Sequence, residues 1–261
     1  MARLLTGLTP AQEQATQERL FVVASLRIEA GIRREVQRAM LDIARNSDSA
    51  GKQSAAVDEH RRRVERILMS AWRSTADSFA QRILRAAQKR DTRIDHKSIF
   101  GGYESFINGW IARYGSQKIT QIVGTTRDQV IAIVNPIIAD GIAQGLGQEA
   151  VGADIERAVR DSGGVLARAR ARVIARTETH QASQAGNMAA AMATDIPIKK
   201  EWISANQPGR TRDDHLDASG QMVPINAPFV VGGESLMYPG DPSGSAGNVI
   251  NCRCTVGYVV D

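Results

Sequence analysis

The sequence predicts a mainly α-helical body, built from a long helical hairpin plus shorter helices, with a small C-terminal α+β or β-rich module. Three observations predict it. Ala, Arg, Gln and Glu dominate the first two thirds of the chain, which is helix-forming composition. Apolar residues recur there at helical spacing. After Asp195 that periodicity stops, and Pro, Gly, Asn and Asp become frequent. The 261 residues are 43% hydrophobic but only 5% aromatic, so the core must be aliphatic and Ala-rich.

Residues 10–46 read as a first helix. Pro10 stands near its start, where a missing N–H costs little. Leu20, Val23, Leu26, Ile28, Ile32, Val36, Ala39, Met40 and Ile43 supply its apolar stripe. The polar run Asn46 to Gly51 is a break with turn chemistry. Residues 53–90 read as a second long helix, with Val57, Val64, Leu68, Trp72, Phe79 and Ile83 near one face. Gly101-Gly102 is expected to break the pattern next. Residues 103–143 read as helix with interruptions, and Pro136 should kink or divide them. Gly141, Gly145 and Gly147 mark a turn. A short helix over 148–161, through Val151, Ile155 and Val159, should end at Gly163-Gly164. Another should run over 165–193, with Val165, Ala169, Val173 and Ile174 on its apolar side. Strands are expected only in the module, at Ile198 to Ser204, Gln221 to Ile225, Pro228 to Val231 and Val249 to Val260. The organisation expected is therefore a basic long-helix region at 1–120, a second helical region at 121–195 and the small module at 196–261.

The net charge of +5 hides an asymmetry. Residues 1–120 carry 21 Lys and Arg against 13 Asp and Glu, whereas residues 121–195 and 196–261 are each slightly acidic. Such an imbalance points to an acidic partner, nucleic acid or an acidic protein surface. The alternative is a solvated face on long helices. No run approaches the ~20 apolar residues of a membrane-spanning helix, so no membrane partner is expected. The N-terminus lacks the apolar core of a signal peptide, which leads to the expectation of a cytosolic product.

The chemistry-bearing residues gather in the last third. Cys252 and Cys254, spaced i and i+2, face the same side of a strand. A disulfide at this spacing is strained and unsuited to the cytosol. Two thiolates on one face can instead hold one Zn²⁺, with His215 as a third ligand and Asp217, Asp241 or water as a fourth. The competing reading makes both cysteines small buried hydrophobes and leaves His215 bonded to a turn. Zinc aside, no cofactor is expected. Arg176, Glu178 and His180 share one predicted helix, with Arg176 and His180 on one face. They are expected to tie that helix to the module by charge-assisted hydrogen bonds. Pro239-Gly240-Asp241-Pro242 is turn chemistry. His60 and His96 stand in polar helical surroundings and are expected to be solvated. No paired carboxylates, nucleophile–base pair or nucleotide loop appears, so no catalytic residue is assigned and enzymatic activity is left open.

Several motifs follow one another in a fixed order. They are Ile174-Ala175-Arg176-Thr177-Glu178-Thr179, Lys200-Glu201-Trp202, Arg210-Thr211-Arg212-Asp213-Asp214-His215, Ser219-Gly220-Gln221, Pro239-Gly240-Asp241-Pro242 and Asn251-Cys252-Arg253-Cys254. In this order, with the Gly turn and short helix of Gly141 to Val159 before them, they resemble the Mu F-like phage head morphogenesis family. The resemblance covers roughly residues 120–261 and leaves the N-terminal helices outside. It implies a minor head protein of the virion, assembled in the host cytoplasm and placed in the capsid interior or at the portal vertex. Its implied partners are the portal protein and capsid or scaffold proteins, with non-specific contact to packaged double-stranded DNA. Arg176, Glu178, Trp202, Arg212, Asp241 and Asn251 then become structural or interface residues. A nucleic-acid-directed enzyme (a nuclease or transferase), or a protein delivered with the DNA, is the alternative.

Overall fold

The computed structural model describes residues 3–47, 49–92 and 96–260, the side chains of 96–100 excepted. Four long helices form the body: α1 (Pro10–Arg45), α2 (Ala50–Arg90), α3 (His96–Ala143) and α4 (Gln148–Met192). A two-residue strand, β1 (Arg3–Leu4), precedes them. The module follows as β2 (Lys199–Ile203), α5 (Asp213–Asp217), β3 (Met222–Pro224), β4 (Phe229–Val231), β5 (Glu234–Leu236), α6 (Ala246–Val249) and β6 (Thr255–Val260). The expected fold class is the one observed: a helical body and a small C-terminal module of short strands.

The chain divides into two compact units, and each long helix contributes a segment to both. One unit comprises Arg27–Met69 and Gly115–Ala175. Its core is aliphatic: Ile32, Val36, Met40, Ile43, Val64, Leu68, Val130 and Val159 are all buried. The other comprises Met1–Leu26, Ser70–Tyr114 and Arg176–Asp261, and it holds the sheet. All three tryptophans, Trp72, Trp110 and Trp202, are buried there, with Trp72 and Trp110 edge to face at 5.7 Å.

Several helix boundaries differ from the sequence reading. Gly101-Gly102 and Pro136 lie inside α3, and Gly163-Gly164 lies inside α4, so none of them divides a helix. An interior glycine costs about 1 kcal/mol against alanine. A stripe that buries Ile155, Val159, Ala167, Ala171 and Ile174 outweighs that cost. The apolar face of residues 165–193 is also not the one expected. Val165 and Val173 are exposed, whereas Gly163, Ala167, Ala171 and Ala175 are buried. Small residues form the packing face because they let another helix approach closely. The position a Cβ would take at Gly163 lies 3.7 Å from Met40 Sδ. On α1 the stripe holds from Ile28 onward, but Leu20, Val23 and Leu26 are exposed, and Phe21 and Gln17 point inward instead.

The main sheet is antiparallel, in the order β1-β6-β2-β3. β6 pairs with β2 over five residues, with Trp202 opposite Val256, and with β1 through Arg3 opposite Val260. A strand at Arg3–Leu4 was not expected; it supplies the free edge of β6 with a partner. β4 and β5 form a separate hairpin. Its turn, Gly232-Gly233, has φ of 55° and 78°, the left-handed pair that a two-residue hairpin needs. The sequence reading missed β5.

One close approach fixes how α2 and α4 meet within the sheet-bearing unit. A Cβ on Gly186 would lie 2.4 Å from the carbonyl oxygen of Ala76 and 2.7 Å from its Cα. Backbone cannot yield as a side-chain tip can. Gly186→Ala should therefore destabilise by about 3 kcal/mol, the upper end of ordinary overpacking, despite the better helix propensity of alanine. A urea midpoint at or above that of the wild type would contradict this packing.

Candidate functional site

The site is built around Trp202, which is fully buried on β2. Its ring meets Phe229 of β4 and His215 of α5 edge to face, both at 5.4 Å. Helix α5 starts after Arg212, whose backbone is extended (φ −67°, ψ 148°). The Arg212 guanidinium donates to Ile250 O at 2.6 Å, which ties this turn to the segment leading into β6. Asn251 then adopts φ 57°, a left-handed turn that asparagine tolerates, and its N–H meets Thr177 Oγ1 at 3.4 Å. The turn sends Cys252 and Cys254 inward just before β6 begins.

Both cysteines are free and buried. Cys254 Sγ lies 3.5 Å and Cys252 Sγ 3.7 Å from His215 Nδ1. The Cys252 thiol, hydrogen-bonded to the Cys254 sulfur, draws Cys254 below the ordinary thiol range, to about 5; His215 and the Ala205 N–H add to the effect. The same contact, together with burial, pushes Cys252 up. On its other side, His215 Nε2 faces Asn248 Oδ1 at 3.3 Å. Among the described residues, His215, Cys252 and Cys254 are the one group of such side chains with metal-ligand proximity, their donor atoms all within 4.8 Å. Asp217 and Asp241 are not brought to it. Asp217 is exposed. Asp241 is buried, but its carboxylate accepts from Met237 N–H, Ser243 N–H and the Ser243 hydroxyl at 2.8–2.9 Å, which closes the Pro-Gly-Asp-Pro turn. The cavity beside Cys254 has a volume of about 10 Å³, the space of one water.

Of the α4 residues expected to tie that helix to the module, His180 donates to Pro239 O. Glu178 Oε2 accepts from Trp72 Nε1 at 3.0 Å, so it bonds helix α2. Arg176 is half-buried on α4. The contacts to β6 come from uncharged amides. Gln184 Nε2 donates to Gln17 Oε1 at 2.9 Å and to Thr255 Oγ1 at 3.3 Å, and Asn187 Nδ2 also donates to Gln17 Oε1, at 3.1 Å. Gln14 Nε2 reaches Arg253 O at 2.9 Å. Sequence reasoning missed this cluster. The available signal was Gln181, Gln184 and Asn187 at three-residue spacing on an otherwise Ala-rich helix. It also missed Lys200, which is fully buried, donates to Met237 O at 2.6 Å and lies 5.1 Å from the Phe229 ring centre. Burial lowers its amine to about 8, against the pull of Asp241. His60 corrects another expectation. It is buried in the other unit, with Nδ1 3.1 Å from Glu35 Oε1, because Glu35 also turns inward from α1. The His96 side chain lies outside the described residues.

These features define a helical protein with a small, internally cross-braced C-terminal module carrying a buried Cys–Cys–His group. Residues 132–257 match the family "Phage Mu protein F like protein". The match falls inside the span expected from the motifs. Over 147 residues, 55% of this chain, the sequence is 31% identical to the minor head protein GP7 of Bacillus phage SPP1, covering 45% of that protein. It is 25% identical over 209 residues, 79% of this chain, to a protein of Bacillus subtilis (strain 168) described as "Uncharacterized protein YqbB", covering 63% of it. The chain thus spans less than two thirds of the length of either relative. No solved structure matches it. These likenesses support a Mu F-like phage head protein. Among the described residues no helix is long and apolar enough to cross a membrane.

His180 makes the sheet-bearing unit acid-sensitive. It is buried beside Phe21, and its ring donates to Pro239 O. Burial above all, then the nearby His215 and Arg253, hold its pKa down at about 3. The native state thus keeps it neutral, while the unfolded chain binds a proton below about 6.5. Its contribution to stability is complete above that value and declines as pH falls from about 6.5 to about 3. His180→Asn keeps a donor towards Pro239 O but cannot titrate. Urea midpoints measured between about pH 7 and pH 4 should fall less steeply for this variant than for the wild type. Parallel curves would remove His180 from the account.

Proposed function

We infer that this chain acts in phage head morphogenesis as a minor head protein, docking at the portal or inner capsid and contacting packaged double-stranded DNA without sequence preference. The observation that carries this reading is the Mu F-like match over residues 132–257, together with the identity to the SPP1 minor head protein. The virion is then its location, and portal, capsid or scaffold subunits are its protein partners. Within this role Arg176, Glu178, Trp202, Arg212, Asp241 and Asn251 hold structure. The bonds of Glu178, Arg212, Asp241 and Asn251 run to the chain's own backbone and side chains, and Trp202 packs in the core.

Two surface features support the contacts proposed. Leu20, Val22, Val23 and Leu26 of α1 are all exposed, and they form an apolar strip suited to a protein partner. Arg82, Arg85, Lys89 and Arg90 of α2 line a groove of about 880 Å³ with the loop after β1, and Arg85, Lys89 and Arg90 are exposed. Much of the remaining basic charge is spent on pairs within the chain, such as Arg45–Glu156 and Arg63–Glu59. The groove is thus the better candidate for phosphate binding than the helical surface at large.

Docking through α1 predicts that the pair Val23→Glu and Leu26→Glu lowers incorporation into heads severalfold while leaving the melting temperature nearly unchanged, since both positions are more than half exposed. Heads that incorporate this variant normally would exclude that face. DNA binding through the groove predicts sequence-independent affinity that weakens steeply with salt. Arg85→Glu with Lys89→Glu should reduce the slope of log affinity against log salt by about 0.9 for each phosphate no longer neutralised. Duplex binding with an unaltered slope would place the DNA elsewhere on the surface.

A further inference from the structure

We propose that His215, Cys252 and Cys254 bind one zinc ion, which fastens α5 to the start of β6 beneath Trp202. The inference does not depend on the role in head assembly. It stands on three features of the site.

The first is distance. A tetrahedral zinc with ordinary Zn–N and Zn–S lengths places nitrogen and sulfur about 3.6 Å apart. The two sulfurs lie 3.5 and 3.7 Å from His215 Nδ1, the nitrogen–sulfur spacing of one shared ion. The residues come from segments 37 and 39 positions apart, and all three are buried.

The second is the histidine tautomer. Asn248 Nδ2 donates to Val231 O at 3.3 Å, which fixes its amide so that Oδ1 faces His215 Nε2. An acceptor at Nε2 puts the ring proton there. The lone pair of Nδ1 is then directed at both sulfurs. This is how a metal-binding histidine is commonly held, with its second nitrogen anchored to an acceptor. One lone pair can accept a proton from only one of two thiols, whereas a cation engages the nitrogen and both sulfurs together.

The third is the setting of the sulfurs. The Ala205 N–H donates to Cys254, and the Cys254 N–H donates to Cys252. Amide donors directed at the sulfurs are the setting in which metal-bound thiolates are commonly found. Two thiolates and a neutral imidazole around Zn²⁺ form a neutral unit, which suits a buried position. Soft sulfur donors select zinc over magnesium or calcium. No further His, Cys, Asp or Glu among the described residues joins the group, which leaves the fourth position to water.

The test uses the full chain, purified under reducing conditions without chelator. Elemental analysis should find about one zinc per chain, and a strong chelator should lower the melting temperature. Cobalt(II) added to the stripped chain should give thiolate charge-transfer bands and the visible bands of a tetrahedral site. Cys254→Ser should abolish both the zinc and these bands. Should that variant fail to fold, Asn248→Ala decides, because it keeps all three ligands. It should weaken metal affinity about 10- to 100-fold, the usual effect of losing such an anchor. Folded, reduced protein with neither zinc nor cobalt bands would overturn the proposal. So would metal binding that Cys254→Ser or Asn248→Ala leaves unchanged, since the ion would then sit elsewhere.

Discussion

The placement of β6 is the constraint on which the sheet-bearing unit depends. All six of its residues are buried, and it lies between β1 and β2 in the main sheet. A strand covered on both faces and paired on both edges needs every backbone group satisfied. Residues far apart in sequence provide that. β1 closes one edge and β2 the other, while Gln17 of α1 and Gln184 of α4 reach the backbone of Val256. Gly257 leaves room in the middle for side chains of the neighbouring strands. A Cβ there would lie 2.7 Å from Leu4 Cδ2 and 2.9 Å from Ile203 Cδ1, side chains that pack across neighbouring strands. The strands Arg3–Leu4 and Thr255–Val260 thus belong to one sheet.

From that arrangement the polar interior follows. An Ala-rich helix packed against a strand has little bulk with which to fill space, so amides fill it and hydrogen-bond one another. Glu13 belongs to the same layer. It is almost fully buried, and it accepts from Thr6, Gln17 and Arg82. Such a network imposes one register on α1, α4 and β6, because slipping any of them strands several buried polar groups at about 1–3 kcal/mol each. The Cys–Cys–His group sits at the entrance to β6 and shares this rigidity. Its ligands arrive on a left-handed turn at Asn251 and on a short helix that Arg212 ties down. The module's turns are similarly braced. Gln221 bonds both the N–H and the carbonyl of Val230, and Asp241 closes its own loop.

Much of this was legible in the sequence. The change after Asp195, the long helices and the motif series from Arg176 to Cys254 each rest on local information: periodicity, turn chemistry and order along the chain. Where local signals misled, packing had overruled them. Gly163-Gly164 reads as a stop, but it lies on the small-residue face of α4 that another helix approaches. Leu20, Val23 and Leu26 read as core, yet near β6 the inward side of α1 carries Gln17 and Phe21 instead. His60 reads as solvated because its neighbours in sequence are arginines, whereas the group it meets, Glu35, lies a helix away.

Local sequence features were enough to establish a long-helix body with a small C-terminal module. Helical periodicity, turn-forming residues and motif order act over a few positions and survive without knowledge of the fold. Only the tertiary structure decided which partners those residues meet. It paired the first strand with the last, brought Glu178 to Trp72, buried Lys200 over Phe229, and aimed His215 Nδ1 at two sulfurs while Asn248 holds its other nitrogen. Those choices are set by interactions between residues tens to hundreds of positions apart, which no local pattern encodes.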